Sequence, residues 1–445
     1  MSSSKKLKEI FVDKDKLFYN FGLISFQIGI LLLASAPAIS ITLLIFSSVC
    51  ASLNRVENYF LDKYNYPFLI ASILMIINCI LITINNSNLT QSEVSNSWIG
   101  LSNWLPFFWC FWSFQRYLYK EKLRLNTAKL LIIGTLPVLI SCFCQYFLKM
   151  YGPYRFLNNL VVWYQRPLGN ENGVTGLFNN QNYAGAWLCI ILPLCIIFLV
   201  KNYKNLLIKF LTFLLSINIV YMIILTSSRN AILSIFVTIL LITKSIKTKL
   251  ITIFSLISIP LILNLIPAFS QNFQNFINRF IPFELVKKAS LNNLSNLEIS
   301  PRLEIWDKAI YLIKANLMTG YGAGSFSNRY SLVGGNHEGI QHTHNIFLEI
   351  TFSHGLLPGL ILIFMMIYLI INSWKSYKNK IRNISSNQKI EFYNFDRAWI
   401  ISFIIFFLIH LSDITYFDGR ISILSWILLS GMNSIIKENY KLKNN

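Results

Sequence analysis

Between residues 268 and 345 a chain otherwise built of apolar runs becomes polar, and the polar stretch closes on Gln341-His342-Thr343-His344-Asn345. Three of the five histidines in the chain lie here. Imidazole is the natural proton-transfer group near neutral pH. His342 and His344, two apart, fit one side of an extended segment, and His344-Asn345 directly precedes an apolar run, which sets an imidazole at a membrane surface. With His337-Glu338 the pair also permits a metal cluster, although the spacing matches no recognised zinc pattern. No metal is expected.

Two arginines carry the second kind of chemistry. Ser300-Pro301 is a helix start, with Ser as N-cap and Pro in the first turn, and Ile305, Trp306, Ala309, Ile310, Leu312 and Ile313 follow at helical spacing up to Gly320. Arg302 therefore meets the positive end of a helix dipole, a conflict that a bound phosphate or diphosphate would remove. The simpler reading of Arg302 is a local ion pair with Glu298 or Glu304. Arg229, in Thr226-Ser227-Ser228-Arg229-Asn230-Ala231, joins two apolar runs with no room for a loop, so it lies at the outer membrane boundary. Ionisable groups at such depth mark substrate or ion paths, with snorkelling to a lipid phosphate as the alternative. The run Thr319-Gly320-Tyr321-Gly322-Ala323-Gly324-Ser325-Phe326 follows a helix rather than a strand, which rules out a dinucleotide fold and suggests a tight loop, with a backbone anion nest as the sharper alternative.

The elements that must position these groups are membrane helices. Hydrophobic residues make up 54% of the 445 positions and charged residues 13%, with mean hydropathy +0.51. Too little polar surface is available to cover a soluble globule of this size. Spans need roughly 20 apolar residues, and runs occur at 18–34, 37–53, 67–84, 101–118, 130–148, 181–200, 210–226, 229–243, 250–267, 346–372, 397–411 and 421–436. The expected fold is an all-α, polytopic transmembrane helical bundle of about 12 spans, with one long outward loop containing short helices. Its regions are 1–267 (nine spans), 268–345 (the loop) and 346–445 (three spans and the C-terminus).

With the N-terminus inside, 27 of the 39 Lys and Arg and 9 of the 19 Asp and Glu fall on the cytoplasmic side, leaving 12 and 10 outside. This is the positive-inside pattern, with both termini cytoplasmic. Topology also accounts for the net charge of +20, which sits in short juxtamembrane clusters such as Lys120-Glu121-Lys122-Leu123-Arg124, so no nucleic-acid partner is expected. The seven cysteines all fall inside spans, which argues against a disulfide framework. The apolar run after the N-terminus lacks a small-residue cleavage site and reads as a retained helix. No internal repeat is visible. Asn-rich patches at 85–96 and 291–296 read as solvated loops.

Taken together, these stretches resemble the O-antigen ligase and O-antigen polymerase superfamily of bacterial membrane proteins. The resemblance rests on Gly176-Leu177-Phe178-Asn179-Asn180-Gln181-Asn182-Tyr183-Ala184-Gly185, Ser227-Ser228-Arg229-Asn230-Ala231, Arg302 with Ile305-Trp306 and Ala309, Gly320-Tyr321-Gly322-Ala323-Gly324, and His344-Asn345 with Leu348, Gly355 and Gly359. It implies a metal-independent, cofactor-free, inverting transfer at the outer face of the bacterial inner membrane. A glycan on a polyprenyl diphosphate passes to a sugar hydroxyl of a lipid A-core-like glycolipid or of another glycan. Arg229 and Arg302 would hold the diphosphate, His344 would take the proton, and His342 and Asn345 would contact substrate. Asn230 stands where the family often has Gly, and Ser353-His354 where an acidic residue is common. Ligase, polymerase and a role in inorganic-carbon transport are the readings left open, the last predicting ionisable residues deep inside the spans.

Overall fold

The computed structural model describes residues 2–53, 55–84, 90–169, 173–200, 205–265, 301–382 and 395–444. Ser300, Glu298, the 291–296 patch and the first part of the 268–345 loop lie outside the described residues. What is described is mostly helical, with one short antiparallel hairpin, Tyr154–Phe156 on Val161–Trp163, that the sequence reading did not anticipate.

Each expected apolar run lies on helix or overlaps it, and among the described residues six helical segments are long and apolar enough to cross a membrane: Tyr66–Ile84, Glu121–Phe147, Gln181–Leu199, Leu206–Leu225, Leu356–Arg382 and Gly419–Tyr440. Two shorter apolar helices are Pro37–Ser52 and Arg229–Ile242. Prolines punctuate the starts, because a missing N–H costs nothing in a first turn. Pro37, Pro106 and Pro137 each stand at the first or second position of a helix. Three of the runs break, 130–148 among them, which divides at Thr135 into the end of Glu121–Gly134 and Leu136–Phe147. Residues 101–118 divide into Leu105–Ser113 and Gln115–Leu118. The run 346–372 divides into Ile346–His354 and Leu356–Arg382, with Gly355 at φ +87° between them. The reason is tertiary: a Cβ at Gly355 would stand 2.1 Å from the Met318 carbonyl oxygen, so the Pro301–Ala315 arm can dock there only against glycine.

The C-terminal helix is the axis of the bundle, with nearly all of its apolar stretch buried. Trp426 packs against Phe68, Phe107, Phe108 and Phe111, an aromatic cluster whose large buried area dominates local packing. Leu206–Leu225 lies at the periphery and leaves Phe210, Phe213, Leu214 and Ile217 exposed, the surface that hydrocarbon would cover. These features make the protein a membrane protein.

The polar region carries a small core of its own. Ile305, Ala309, Leu312 and Ile313 form one stripe of the helix Pro301–Ala315 and pack with Phe326, Tyr330 and Phe352. Burying side chains of this size contributes roughly 1.5–3 kcal/mol each, enough to seat the helix on Ile346–His354. The Gly320–Gly324 strap completes the joint. Tyr321 N donates to Phe352 O at 2.8 Å and Gly322 N to Ser353 O at 3.0 Å. These two amides are therefore spent within the protein, which favours the tight loop over the anion nest.

Candidate functional site

The segment that bears the histidines is pinned on both sides of His344. Thr343, fully buried, donates its amide to Glu349 Oε2 at 2.9 Å. Asn345 caps the helix Ile346–His354, its Oδ1 accepting from Phe347 N at 2.9 Å and Leu348 N at 3.2 Å, while its Nδ2 donates to Leu411 O at 2.8 Å. Ile346 N donates to His410 O at 2.9 Å. The 341–346 segment is thus stapled to the turn that follows Phe395–Ile409. His344 itself has φ +54°, so the chain turns there and is not extended through both histidines as the spacing suggested. Their rings still meet, centroids 4.4 Å apart at 65°. A non-glycine residue held in the left-handed region stores strain that surrounding contacts must sustain, and such positions cluster at functional sites. Ser227, two positions before Arg229, is another, at φ +55°, and five more lie between Lys149 and Gln165 around the hairpin.

The turn beneath His344 supplies a residue that none of the motifs singled out. Asp413 places Oδ1 3.2 Å from His344 Nδ1 and Oδ2 3.9 Å from Arg302 Nη2, and Oδ2 also accepts from Asn182 Nδ2 at 2.9 Å. Burial alone would raise the Asp413 carboxyl. The hydrogen bond from His344 and the charges of Arg302, His344 and His342 outweigh burial and hold it below the ordinary carboxylate value. An ionised Asp413 accepts only, so the Nδ1 facing it is the donor and Nε2 of His344 carries the free lone pair.

His342 differs. Its Nδ1 faces the His344 backbone amide at 3.4 Å, which occupies that nitrogen as an acceptor. Burial first, then the neighbouring His344, lowers it to about 4. The ring is neutral at physiological pH.

Both candidate arginines stand at helix N-termini. Arg229 is the first residue of Arg229–Ile242, whose N-cap Ser228 provides no side-chain cap, and Arg302 is the second residue of Pro301–Ala315. Each adds a fixed positive charge where the helix dipole already presents one. They also sense one another: burial lowers the Arg302 pKa, Asp413 opposes this, and the charge of Arg229 lowers it further. Arg229 is exposed and has no carboxylate partner among the described residues. The local ion pair expected for Arg302 with Glu304 does not form. Glu304 is taken by His337 Nε2 at 3.2 Å, Tyr330 Oη at 3.1 Å and Asn336 N at 2.9 Å, and Arg302 turns to Asp413 instead. Glu298 lies outside the described residues. The same contact draws His337 to Glu304, and among the described residues no three His, Cys, Asp or Glu are grouped to hold a metal ion.

Arg302, His344, His342 and Asp413 therefore meet in one place, with Arg229 within electrostatic reach. Asn345 spends its side chain on the helix cap and on Leu411. The 176–185 motif joins through Asn182, and behind it Arg420 lies 3.9 Å over the Phe178 ring and donates to Leu177 O at 3.1 Å. Asp413 and Asn182 have a visible signal in the sequence, polar side chains at the outer ends of apolar runs. Nothing local links either of them to a histidine at least 69 positions away.

Residues 211–364 match the family model described as O-antigen ligase, which supports membership of the O-antigen ligase and polymerase family. The match contains Arg229, Arg302, His342, His344 and Asn345 and stops short of Asp413. No curated protein matches the chain. The family match and the apolar helices together support a membrane-bound role in O-antigen and lipopolysaccharide assembly.

Proposed function

We propose that the protein is an inverting glycosyltransferase that moves a glycan from a polyprenyl diphosphate to a sugar hydroxyl of a lipid A-core-like acceptor, at the outer face of the bacterial inner membrane. The observation that carries this reading is the pairing of an ionised Asp413 with His344 beside two arginines at helix N-termini. That combination offers a general base and an anion site a few ångströms apart.

The acceptor hydroxyl gives its proton to Nε2 of His344 while its oxygen attacks the anomeric carbon from the face opposite the diphosphate. The bond from that carbon to the diphosphate oxygen breaks, and polyprenyl diphosphate leaves. Arg229 and Arg302 neutralise the charge that grows on the leaving oxygen, and the two helix N-termini add to the field. Asp413 holds the tautomer and stabilises the imidazolium as it forms, the role of the carboxylate in a Ser-His-Asp triad. His342, neutral and with its acceptor nitrogen engaged, packs the base in place, and Asn345 anchors the backbone beneath it. Buried charged groups of the described residues collect toward the ends of the bundle, as with Arg124 and Asp396 at one end, an arrangement that favours transfer over ion conduction along a midplane path.

The test is transfer by purified His344→Ala protein reconstituted with a polyprenyl-diphosphate glycan and a glycolipid acceptor. Activity should fall by about 10²–10⁴ with donor binding retained, and His342→Ala should be milder. Wild-type transfer by His344→Ala would overturn the assignment. Transfer by both variants, with loss of wild-type activity on chelation, would replace it with a metal centre.

A further inference from the structure

Arg420 and Glu438 lie at opposite ends of the C-terminal helix, about 27 Å apart at 1.5 Å per residue. Near Glu438, at the end away from His344, is a cavity of about 880 Å³. Five cations line it: Lys16, Arg55, Arg116, Lys120 and Lys437. Only two carboxylates join them, and both are engaged. Asp15 is shared by Arg55 at 2.9 Å and Arg116 at 2.8 Å, and Glu438 is drawn to Arg124 at 2.6 Å. Lys437 pairs with Asp62. Lys16 and Lys120 have no carboxylate partner among the described residues, and their side chains are exposed.

The walls add aromatic groups. Tyr19, Trp112 and Tyr119 line the same space, with Arg116 5.3 Å from the Tyr19 ring centroid and Lys120 5.2 Å from that of Tyr119. Leu17 and Phe21 flank Lys16 on its helix, and Val56 and Phe60 follow Arg55, all four more than half exposed. Cations among aromatic residues, bordered by exposed apolar side chains, are the composition of a membrane interface at the level of lipid phosphates. The volume falls in the range of small-molecule pockets, far more than a bare ion fills.

We propose that this cavity binds a phosphate group, as ester or anhydride, at the membrane surface, independently of the His344 site. The source is a phospholipid headgroup whose chains lie on the Leu17, Phe21, Val56 and Phe60 rim, or a soluble phosphate compound; the chemistry recognised is the same. The surplus lysines supply long-range attraction, and Arg55 and Arg116, held in place by Asp15, supply fixed donors.

The experiment compares wild type with a Lys16→Gln/Lys120→Gln double variant, both lysines being exposed and outside the His344 site. Proteins are purified from nanodiscs of phosphatidylcholine with phosphatidylglycerol, and retained lipid is counted by native mass spectrometry. Binding of inorganic pyrophosphate is measured in parallel by calorimetry. Each lysine contributes roughly a factor of five, so the double variant should retain phosphatidylglycerol about 25-fold more weakly if the ligand is a lipid. If pyrophosphate binds in a lysine-dependent way and phosphatidylglycerol is not retained, the ligand is a soluble phosphate. Equal retention by both proteins in both arms, with thermal unfolding unchanged, would overturn the proposal.

Discussion

His344 Nδ1 lies 3.2 Å from Asp413 Oδ1 across 69 positions of sequence, and this contact decides which imidazole nitrogen faces the site. Because Asp413 is ionised, it can only accept, so the proton of neutral His344 stays on Nδ1. Replacing the carboxylate with an amide of the same shape lets the side chain present N–H to Nδ1 and drive the proton to Nε2. Asp413→Asn should therefore lower kcat by about 10²–10⁴ while KM for the donor changes little. Unchanged kcat in the reconstituted assay would remove Asp413 from the proposed mechanism.

The two arginines should fail in a different way. A guanidinium presents a rigid fork of donors to a diphosphate, whereas an ammonium is a point charge. Arg302→Lys and Arg229→Lys keep the charge at each helix N-terminus and lose the fork. Each is expected to raise KM for the polyprenyl-diphosphate donor and reduce kcat/KM by about 10²–10³. The acceptor KM should remain constant. A variant that alters acceptor KM alone would place that arginine on the other substrate.

The sequence made some of this legible and hid the rest for identifiable reasons. The Ile305, Ala309, Leu312 stripe is a local signal, and the helix Pro301–Ala315 buries that face as it requires. His344 stood out because it adjoins an apolar run. Asp413 did not, because its meaning comes from His344 and Arg302, both more than 65 positions earlier. The interruption at Gly355 was hidden as well: the apolar pattern runs straight through it, and only the approach of Met318 demands the positive φ. The local pairing rule failed for Arg302 because Glu304 found three partners of its own.

Topology gives a third prediction. The division of 27 basic residues inside against 12 outside sets the region containing Leu332 on the outer face and Lys122 on the inner. Leu332 is 76% exposed. In intact cells a membrane-impermeant thiol reagent should label Leu332→Cys, and should reach Lys122→Cys only after permeabilisation. The reverse pattern would invert the chain and leave the His344 site facing the cytoplasm.

The last prediction concerns acid. His342 titrates near 6.5 in an unfolded chain and is lowered to about 4 in the fold, chiefly by burial. Between those values the unfolded state binds the additional proton, so stability rises with pH. Stability supplied by a neutral His342 is therefore complete above about 6.5 and is lost progressively as pH falls toward 4. Asp413 acts in a lower window, since its carboxyl is held below 3.8 and its contribution is lost only as pH drops through that depressed value. His342→Gln, which keeps a polar group of similar size without a titratable nitrogen, should reduce the fall in melting temperature between pH 6.5 and 4 without abolishing it, because the buried His354 and His410 remain, and should leave the loss below 3.8 in place. Differential scanning fluorimetry of the detergent-solubilised protein across that range separates the two. If the variant loses as much stability as wild type between 6.5 and 4, the groups responsible lie elsewhere and His342 is not held neutral by its surroundings.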